Sequence, residues 1–358
     1  MHQAVGRDLP KCARPDAHRF DRPAQAAMVA RMEQRVLGRT GRPVSVVGLG
    51  TWQLGADWGQ VEDDAALAVL AAAVESGVTM FDTADVYGDG RSERLIGRFL
   101  ADNPGVDLVV ATKAGRRAPL DPAQYTVDNL RSWVDRSRSN LGVDRLDLVQ
   151  LHCPPTAVYH SDGVFDALDT LVTEERIAAY GMSVETCAEA LTAIARPGVA
   201  SVQIILNAFR RKPLEEVLPA AQAAGVGIIA RVPLASGLLS GRYTVDTAFG
   251  PDDHRAFNRD GSAFDVGETF SGVDFATGVA AAQEFAALLP EGRTPAEAAL
   301  RWVIDQPGVT TVIPGARTPE HARSNASAAG RPPLSATVSD GMRTIYDTRI
   351  RSSVHTRW

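Results

Sequence analysis

Two rhythms of apolar and polar positions alternate along this chain. Short continuous runs rich in Val and Ile fall near 44–49, 78–82, 107–112, 146–151, 178–183, 201–206, 226–232 and 309–313. Between them, apolar residues recur at helical spacing near 63–76, 91–102, 126–141, 163–177, 187–196, 214–224, 294–305 and 318–329. Continuous rather than alternating apolar runs are expected of strands buried on both faces of a parallel sheet. Eight such strands and eight helices over about 300 residues predict an α/β fold of the (β/α)₈ TIM-barrel class rather than an open sheet.

Three segments stand outside the alternation. Arg35 to Val47, with Gly38 and Gly41-Arg42-Pro43 between its apolar ends, predicts an N-terminal β-hairpin leading into the first strand. Residues 235–275 form a Gly-, Asp- and Phe-containing stretch after strand seven, too long for an ordinary connection and a candidate lid. An extra amphipathic helix, Phe275 to Leu289, follows it. The expected organisation is one barrel domain over 32–330, with 331–358 a C-terminal tail of the same domain carrying a helix near 337–352. Residues 1–31 have scattered Pro, Arg, Asp and Gln without periodicity and are read as a disordered extension, with Met32 as an alternative start.

A doubly wound dinucleotide-binding domain is the rival fold. Gly48-Leu49-Gly50 follows a strand as its glycine fingerprint requires, but position 53 is Gln53, no helix opens there, and no carboxylate follows about 20 residues on.

Composition narrows the function classes. A formal charge of −6 gives no electrostatic reason to expect nucleic acid or an anionic membrane as partner. Cys12, Cys153 and Cys187 are odd in number and lack ligand spacing, so neither a disulfide framework nor a zinc site is expected. No apolar run approaches the roughly 20 residues of a membrane span. The chain is expected to be soluble and cytoplasmic.

Chemistry gathers at the predicted strand ends. The run Val78 to Phe81 ends in Asp82, and Tyr87 follows five residues later, before Gly88-Asp89-Gly90 turns the chain into a helix. Taken singly, Asp-Thr and Tyr-Gly pairs are ordinary turn chemistry, and His152 alone reads as a core histidine. The next two strands, however, end in Lys113 and His152. Asp, Tyr, Lys and His at successive strand ends form an acid–base group, and barrel chemistry is expected at that face.

These residues also carry a family resemblance. Asp82-Thr83-Ala84-Asp85-Val86-Tyr87-Gly88, Thr112-Lys113, Leu151-His152, Gly181-Met182-Ser183, Val202-Gln203 and Ile313-Pro314-Gly315-Ala316-Arg317 resemble the aldo-keto reductases from about Arg35 to Ala329. The last of these runs and Pro233 to Gly241 are more similar to bacterial branches and potassium-channel β subunits than to mammalian steroid and aldose reductases.

The resemblance implies an NADP(H)-dependent reductase of a small-molecule aldehyde, ketone or sugar-like carbonyl, working without metal. It implies Tyr87 as general acid, Lys113 lowering the phenol's pKa, Asp82 holding Lys113, and His152 orienting the substrate oxygen. For the cofactor it implies Gly50, Thr51, Trp52 and Asp82 near the nicotinamide ribose, with Ser183 and Gln203 at the carboxamide. It further implies Arg231, Val232, Pro233, Leu234, Ser236, Gly237, Leu238 and Gly241 along the nicotinamide face and pyrophosphate, and Gly315, Ala316, Arg317, His321 and Asn325 at the adenosine end. Trp52 and Trp58 are candidate pocket walls.

Three departures bear on cofactor geometry and on the choice between NADP and NAD. Ser183-Val184 replaces the usual Ser-Asn, Arg231 replaces a tyrosine that stacks on the nicotinamide, and Ser324 stands where a glutamate often precedes Asn325. Arg231 either stacks on the ring or turns away to a pyrophosphate or carboxylate. Two other functions fit the same residues: a regulatory subunit that senses the cofactor, and an alcohol or aldose dehydrogenase running in the oxidative direction. The loops 53–61, 114–125 and 235–275 and the tail are expected to choose the substrate.

Overall fold

The computed structural model describes residues 32–55 and 61–358. Residues 1–31, including Cys12, and the candidate wall Trp58 lie outside the described residues. The barrel strands, in chain order, are β3 (Leu49–Gly50), β4 (Met80–Asp82), β5 (Val109–Ala114), β6 (Leu148–His152), β7 (Tyr180–Ser183), β8 (Val199–Ile205), β9 (Gly227–Arg231) and β10 (Val309–Val312). All neighbours pair in parallel, in sequence order. Closure is made by bridges of Val47 to Val312 and Gly50 to Gly315, with Gly48 N–H donating to Val312 O at 2.8 Å. Eight parallel strands thus form a nearly closed (β/α)₈ barrel.

The connections are α1 (Asp63–Glu75), α2 (Arg91–Asp102), α3 (Val127–Leu141), α4 (Asp162–Thr173), α5 (Cys187–Ile194) and α6 (Val217–Ala224). A short α7 (His254–Phe257) and α8 (Phe275–Ala287) precede α9 (Pro295–Ile304), and α10 (Pro319–Ser327) follows the last strand. Local sequence explains several starts: Thr186 with Glu189 and Thr294 with Glu297 form capping boxes, and Pro295 and Pro319 occupy first-turn positions whose N–H needs no partner. The expected 163–177 helix stops at Thr173 because Glu175 turns left-handed, at φ 56°. The tail helix near 337–352 is observed as α11 (Ala336–Ile345), a π-turn over Tyr346–Ile350, and α12 (Arg351–Val354).

The hairpin is present as β1 (Gln34–Val36) against antiparallel β2 (Pro43–Ser45). It takes the first half of the predicted 44–49 run, leaving two residues to the barrel strand. Leu37 and Val44 are inserted among the interior residues Met80, Val109, Ala111, Leu148 and Ile229, so the hairpin plugs the end of the barrel opposite the strand C-termini. Its turn closes tightly on β9: a Cβ on Gly38 would lie 2.1 Å from Gly227 N, which only glycine at φ 47° avoids. Arg39 then donates to the carbonyls of Arg196, Pro197, Val199 and Ala224, tying the plug to the strand starts. With that end sealed, the C-terminal strand ends are left to carry a site.

The long segment after β9 is built rather than structureless. It holds 3₁₀ turns at Ala235–Ser240, Val266–Glu268 and Phe270–Gly272, besides α7. Phe249, Phe270 and Phe275 form one aromatic cluster with Tyr243, and the Arg255 guanidinium lies 4.5 Å from the Phe249 ring. Trp358 docks on the same segment, its indole N–H donating to Asp265 Oδ1 at 2.9 Å. Among the described residues no helix is long and apolar enough to cross a membrane.

Candidate active site

Parallel pairing brings the ends of β4, β5 and β6 side by side. Lys113 Nζ, buried at the end of β5, donates to Asp82 Oδ1 at 2.5 Å, to Thr83 O at 2.9 Å and to Tyr87 OH at 3.3 Å. Asp82 Oδ2 accepts from Gln203 Nε2 at 2.7 Å and Gln150 Nε2 at 3.3 Å, so its charge is fully engaged. The Tyr87 loop is tied down by Ser92, the second residue of α2, which bonds both Thr51 Oγ1 and Thr83 Oγ1. His152 meets the Tyr87 ring edge-on at 6.0 Å, and Trp52 stacks on that ring at the same spacing.

Burial dominates the electrostatics of the phenol. The Tyr87 phenol sits above its ordinary value: burial raises it, and Lys113 only partly offsets this. Asp82 and then Glu268 add to the raising, while the Lys113 ammonium acts in the lowering direction. The Lys113 ammonium is nevertheless held above its ordinary value despite burial, through Asp82 and then Tyr87. His152 is pushed well below its ordinary value by burial and by the cations Arg116 and Lys113, and stands as neutral imidazole.

A cavity of about 520 Å³ runs from this group across the barrel mouth. Of the residues singled out in the sequence, Gly50, Thr51, Trp52, Asp82, Tyr87, His152, Gln203 and Arg231 line it. So do Val232, Pro233, Leu234, Ser236, Gly237, Gly315, Arg317, His321 and Asn325. Lys113, Ser183, Leu238, Gly241 and Ala316 do not; Lys113 acts on the cavity through Tyr87, and the Ser183 hydroxyl faces Cys153 Sγ at 3.4 Å. The rim after β9 is strained: Val232, Ala235 and Ser236 all have left-handed φ near 50°, a costly conformation for a β-branched valine. Gly237 at φ 96° continues it, and a Cβ there would lie 2.2 Å from Tyr243 OH. At the far end Thr318 caps α10, placing Arg317 and His321 beside a helix N-terminus, while Asn325, nearer its other end, donates to Gly315 O at 3.1 Å. An elongated cavity joining an acid–base group to a left-handed loop and a helix start suits a dinucleotide.

Sequence reasoning missed Arg116, Glu185 and Glu268, which join Arg231 in a charged group at the cavity wall; of the four, Arg231 and Glu268 line the cavity. Arg116, beyond β5, donates to Glu185 Oε1 at 3.1 Å and to Glu268 Oε1 at 2.9 Å. Arg231 Nη2 donates to Glu185 Oε2 at 2.9 Å and Val184 O at 3.2 Å, and its Nη1 lies 3.8 Å from Glu268 Oε1. Of the two expectations for Arg231, pairing with a carboxylate is the one observed. Glu268 sits on the long segment after β9, and no short-range signal links it to β5 or β7. Cys153, Glu185 and Glu268 converge as potential metal ligands among the described residues, but the two guanidiniums hold the carboxylates and oppose a cation there.

Comparison with known proteins agrees with this geometry. The model of the aldo/keto reductase family matches residues 46–347. An uncharacterized oxidoreductase of Mycobacterium tuberculosis is 34% identical over 295 residues, covering 80% of this chain and 84% of its own. The structure is similar to that of a glycerol dehydrogenase from Gluconobacter oxydans, with TM-score 0.71, 30% identity, and coverage of 90% of this chain and 96% of that one. It is also similar to the holo form of an aldo-keto reductase from Bacillus halodurans, with TM-score 0.71, 25% identity, and coverage of 88% and 96%.

Proposed function

Because this chain belongs to the aldo/keto reductase family and is an oxidoreductase, we propose that it reduces an aldehyde, ketone or sugar-like carbonyl to the alcohol with NADP(H). The observation that carries the reading is the buried contact chain Asp82–Lys113–Tyr87, opening beside His152 into one elongated cavity. The cavity residues from Gly50 to Trp52, Arg231 to Gly237 and Gly315 to Asn325 are the ones that would hold the cofactor. Bound there, NADPH supplies the hydride that the carbonyl carbon accepts.

The protein's own part is proton delivery and orientation. Tyr87 is the general acid. Its raised pKa keeps the proton in place until a developing alkoxide, far more basic than a phenolate, draws it off. The phenolate that remains lies 3.3 Å from Lys113 Nζ, so charge forms beside a cation already in position. Asp82 fixes that cation, and neutral His152 bonds the carbonyl oxygen without adding a charge. Run backward, the same groups take the proton from an alcohol, and the likeness to a glycerol dehydrogenase supports that direction as well.

The test is NADPH consumption by purified protein against a panel of carbonyls, with Tyr87→Phe alongside. Turnover is expected for the wild type and at most a trace for the variant. An equal trace rate in both removes the proposal.

A further inference from the structure

The cluster Arg116–Glu185–Arg231–Glu268 is not used by the proton chemistry above, yet two of its members face the same cavity. We infer that Glu268 sets the substrate class, accepting a hydrogen bond from a hydroxyl next to the reacting carbonyl, so that neutral hydroxy-aldehydes and hydroxy-ketones enter and carboxylate-bearing carbonyls are turned away. This rests on the proposed carbonyl reduction.

Placement comes first. Glu268 ends the Val266–Glu268 turn, which Asp265 caps by accepting from Gly267 N–H at 2.7 Å and Trp358 Nε1 at 2.9 Å. Its backbone carbonyl takes the Ser236 hydroxyl at 3.1 Å, and that hydroxyl also receives Phe270 N–H at 3.0 Å. The backbone is therefore held on both sides of Glu268, and its carboxylate is held by Arg116 at 2.9 Å. It lines the cavity with Tyr87, His152 and Trp52, and its charge is felt by both Tyr87 and His152, the two groups proposed to meet the carbonyl oxygen.

Chemistry comes second. Burial, the largest single influence on Glu268, is overcome by Arg116 and Arg231, which hold its carboxyl below the ordinary range. An ionised carboxylate only accepts hydrogen bonds. It can pair with a hydroxyl and cannot pair with another carboxylate. Arg116 pairs through Nη2 with Glu185 and Glu268, and Arg231 through Nη2 with Glu185, while Arg231 Nε has no partner among the described residues. Of the four side chains, Glu268 presents its carboxylate to the cavity, and Trp52 offers an apolar surface to the C–H face of a polyol.

The experiment compares glyceraldehyde, propanal and 4-oxobutanoate as substrates of wild type, Glu268→Gln and Glu268→Leu. The wild type should prefer glyceraldehyde to propanal. In Glu268→Leu that ratio of kcat/KM should fall by about 10- to 100-fold, the worth of one hydrogen bond to a charged group. Glu268→Gln should gain activity on 4-oxobutanoate, because Arg116 and Arg231 keep their charges and lose a partner. Binding is followed separately by tryptophan fluorescence with glycerol and 1-propanol, and only glycerol affinity should drop in Glu268→Leu. An unchanged glyceraldehyde/propanal ratio overturns the inference even if all rates fall, since that is what a purely structural Glu268 would give. If the wild type oxidises NADPH with none of the carbonyl panel, the proposed function fails instead, and the glycerol comparison still decides the role of Glu268.

Discussion

Arg231 Nη2 lies 2.9 Å from Glu185 Oε2, and this contact turns the guanidinium's charge toward a carboxylate. Burial opposes the cation, but Glu185 and Glu268 hold it firmly protonated. A paired charge repels an oxidised nicotinamide far less than the roughly 4 kcal/mol of two bare charges about 4 Å apart. Arg231→Tyr should therefore leave the ratio of NADP⁺ to NADPH dissociation constants within about threefold, roughly half a kcal/mol, of the wild-type ratio. A tenfold fall, measured by fluorescence titration, would mean that the arginine stacks on the ring.

Removing the same partner should cost stability. Breaking a buried ion pair typically costs about 3–5 kcal/mol, because the remaining charge is stranded. Glu185 already sits high, pushed up by burial to about 7 even with Arg231 beside it. Without the arginine it should take up a proton more readily, so Arg231→Leu is expected to lower Tm more at pH 8 than at pH 6. Equal losses at both would argue that packing, not charge, is what the arginine supplies.

Lys113 should be visible in a pH profile. In the oxidative direction Tyr87 must be ionised to accept a proton, so the rate rises with pH through the phenol's pKa. Burial holds that value up and Lys113 holds it down. Lys113→Met should shift the rising limb to higher pH and cut kcat by about 10²- to 10⁴-fold. A limb that stays in place, at whatever rate, would detach Lys113 from the phenol.

Arg317 is exposed at the start of α10 and lines the far end of the cavity with His321. A cation beside a helix N-terminus favours a phosphate. NADPH should bind more tightly than NADH, and Arg317→Ala should narrow the gap by about 1–2 kcal/mol, roughly 5- to 30-fold. Equal affinities in the wild type would end this argument.

Asp85 gives a stability prediction with a definite sign. Its carboxyl is buried two residues before Tyr87, and neither oxygen has a hydrogen-bond partner among the described residues. Burial and then Glu93 push its pKa up to about 7, against Arg117 and Arg136. The folded state thus keeps this proton to about pH 7, while an unfolded chain releases it near 3.8. Between those values folding binds the extra proton, so the contribution of Asp85 to stability falls as pH rises from about 4 to 7. Asp85→Asn should raise Tm at pH 8 by a few degrees and lose that advantage near pH 5; a constant difference across this range would contradict it.

Most of the barrel was legible in the sequence because it rests on local rules. Continuous apolar runs mark strands buried on both faces, and three-to-four spacing marks the helices between them. A parallel barrel then brings its strand ends to one face, so Asp82, Lys113 and His152 could be grouped before any contact was known. What the sequence could not hold is whatever depends on distance through space rather than along the chain. The division of the 44–49 run between hairpin and barrel follows from Gly38 closing on Gly227. The upward direction of Tyr87 follows from its burial, which Lys113 offsets only in part. Arg231 had two chemically reasonable partners, and only the arrival of Glu185 and Glu268 from two other loops decided between them. Charges interact through a dielectric shaped by the whole fold, and no residue spacing encodes that.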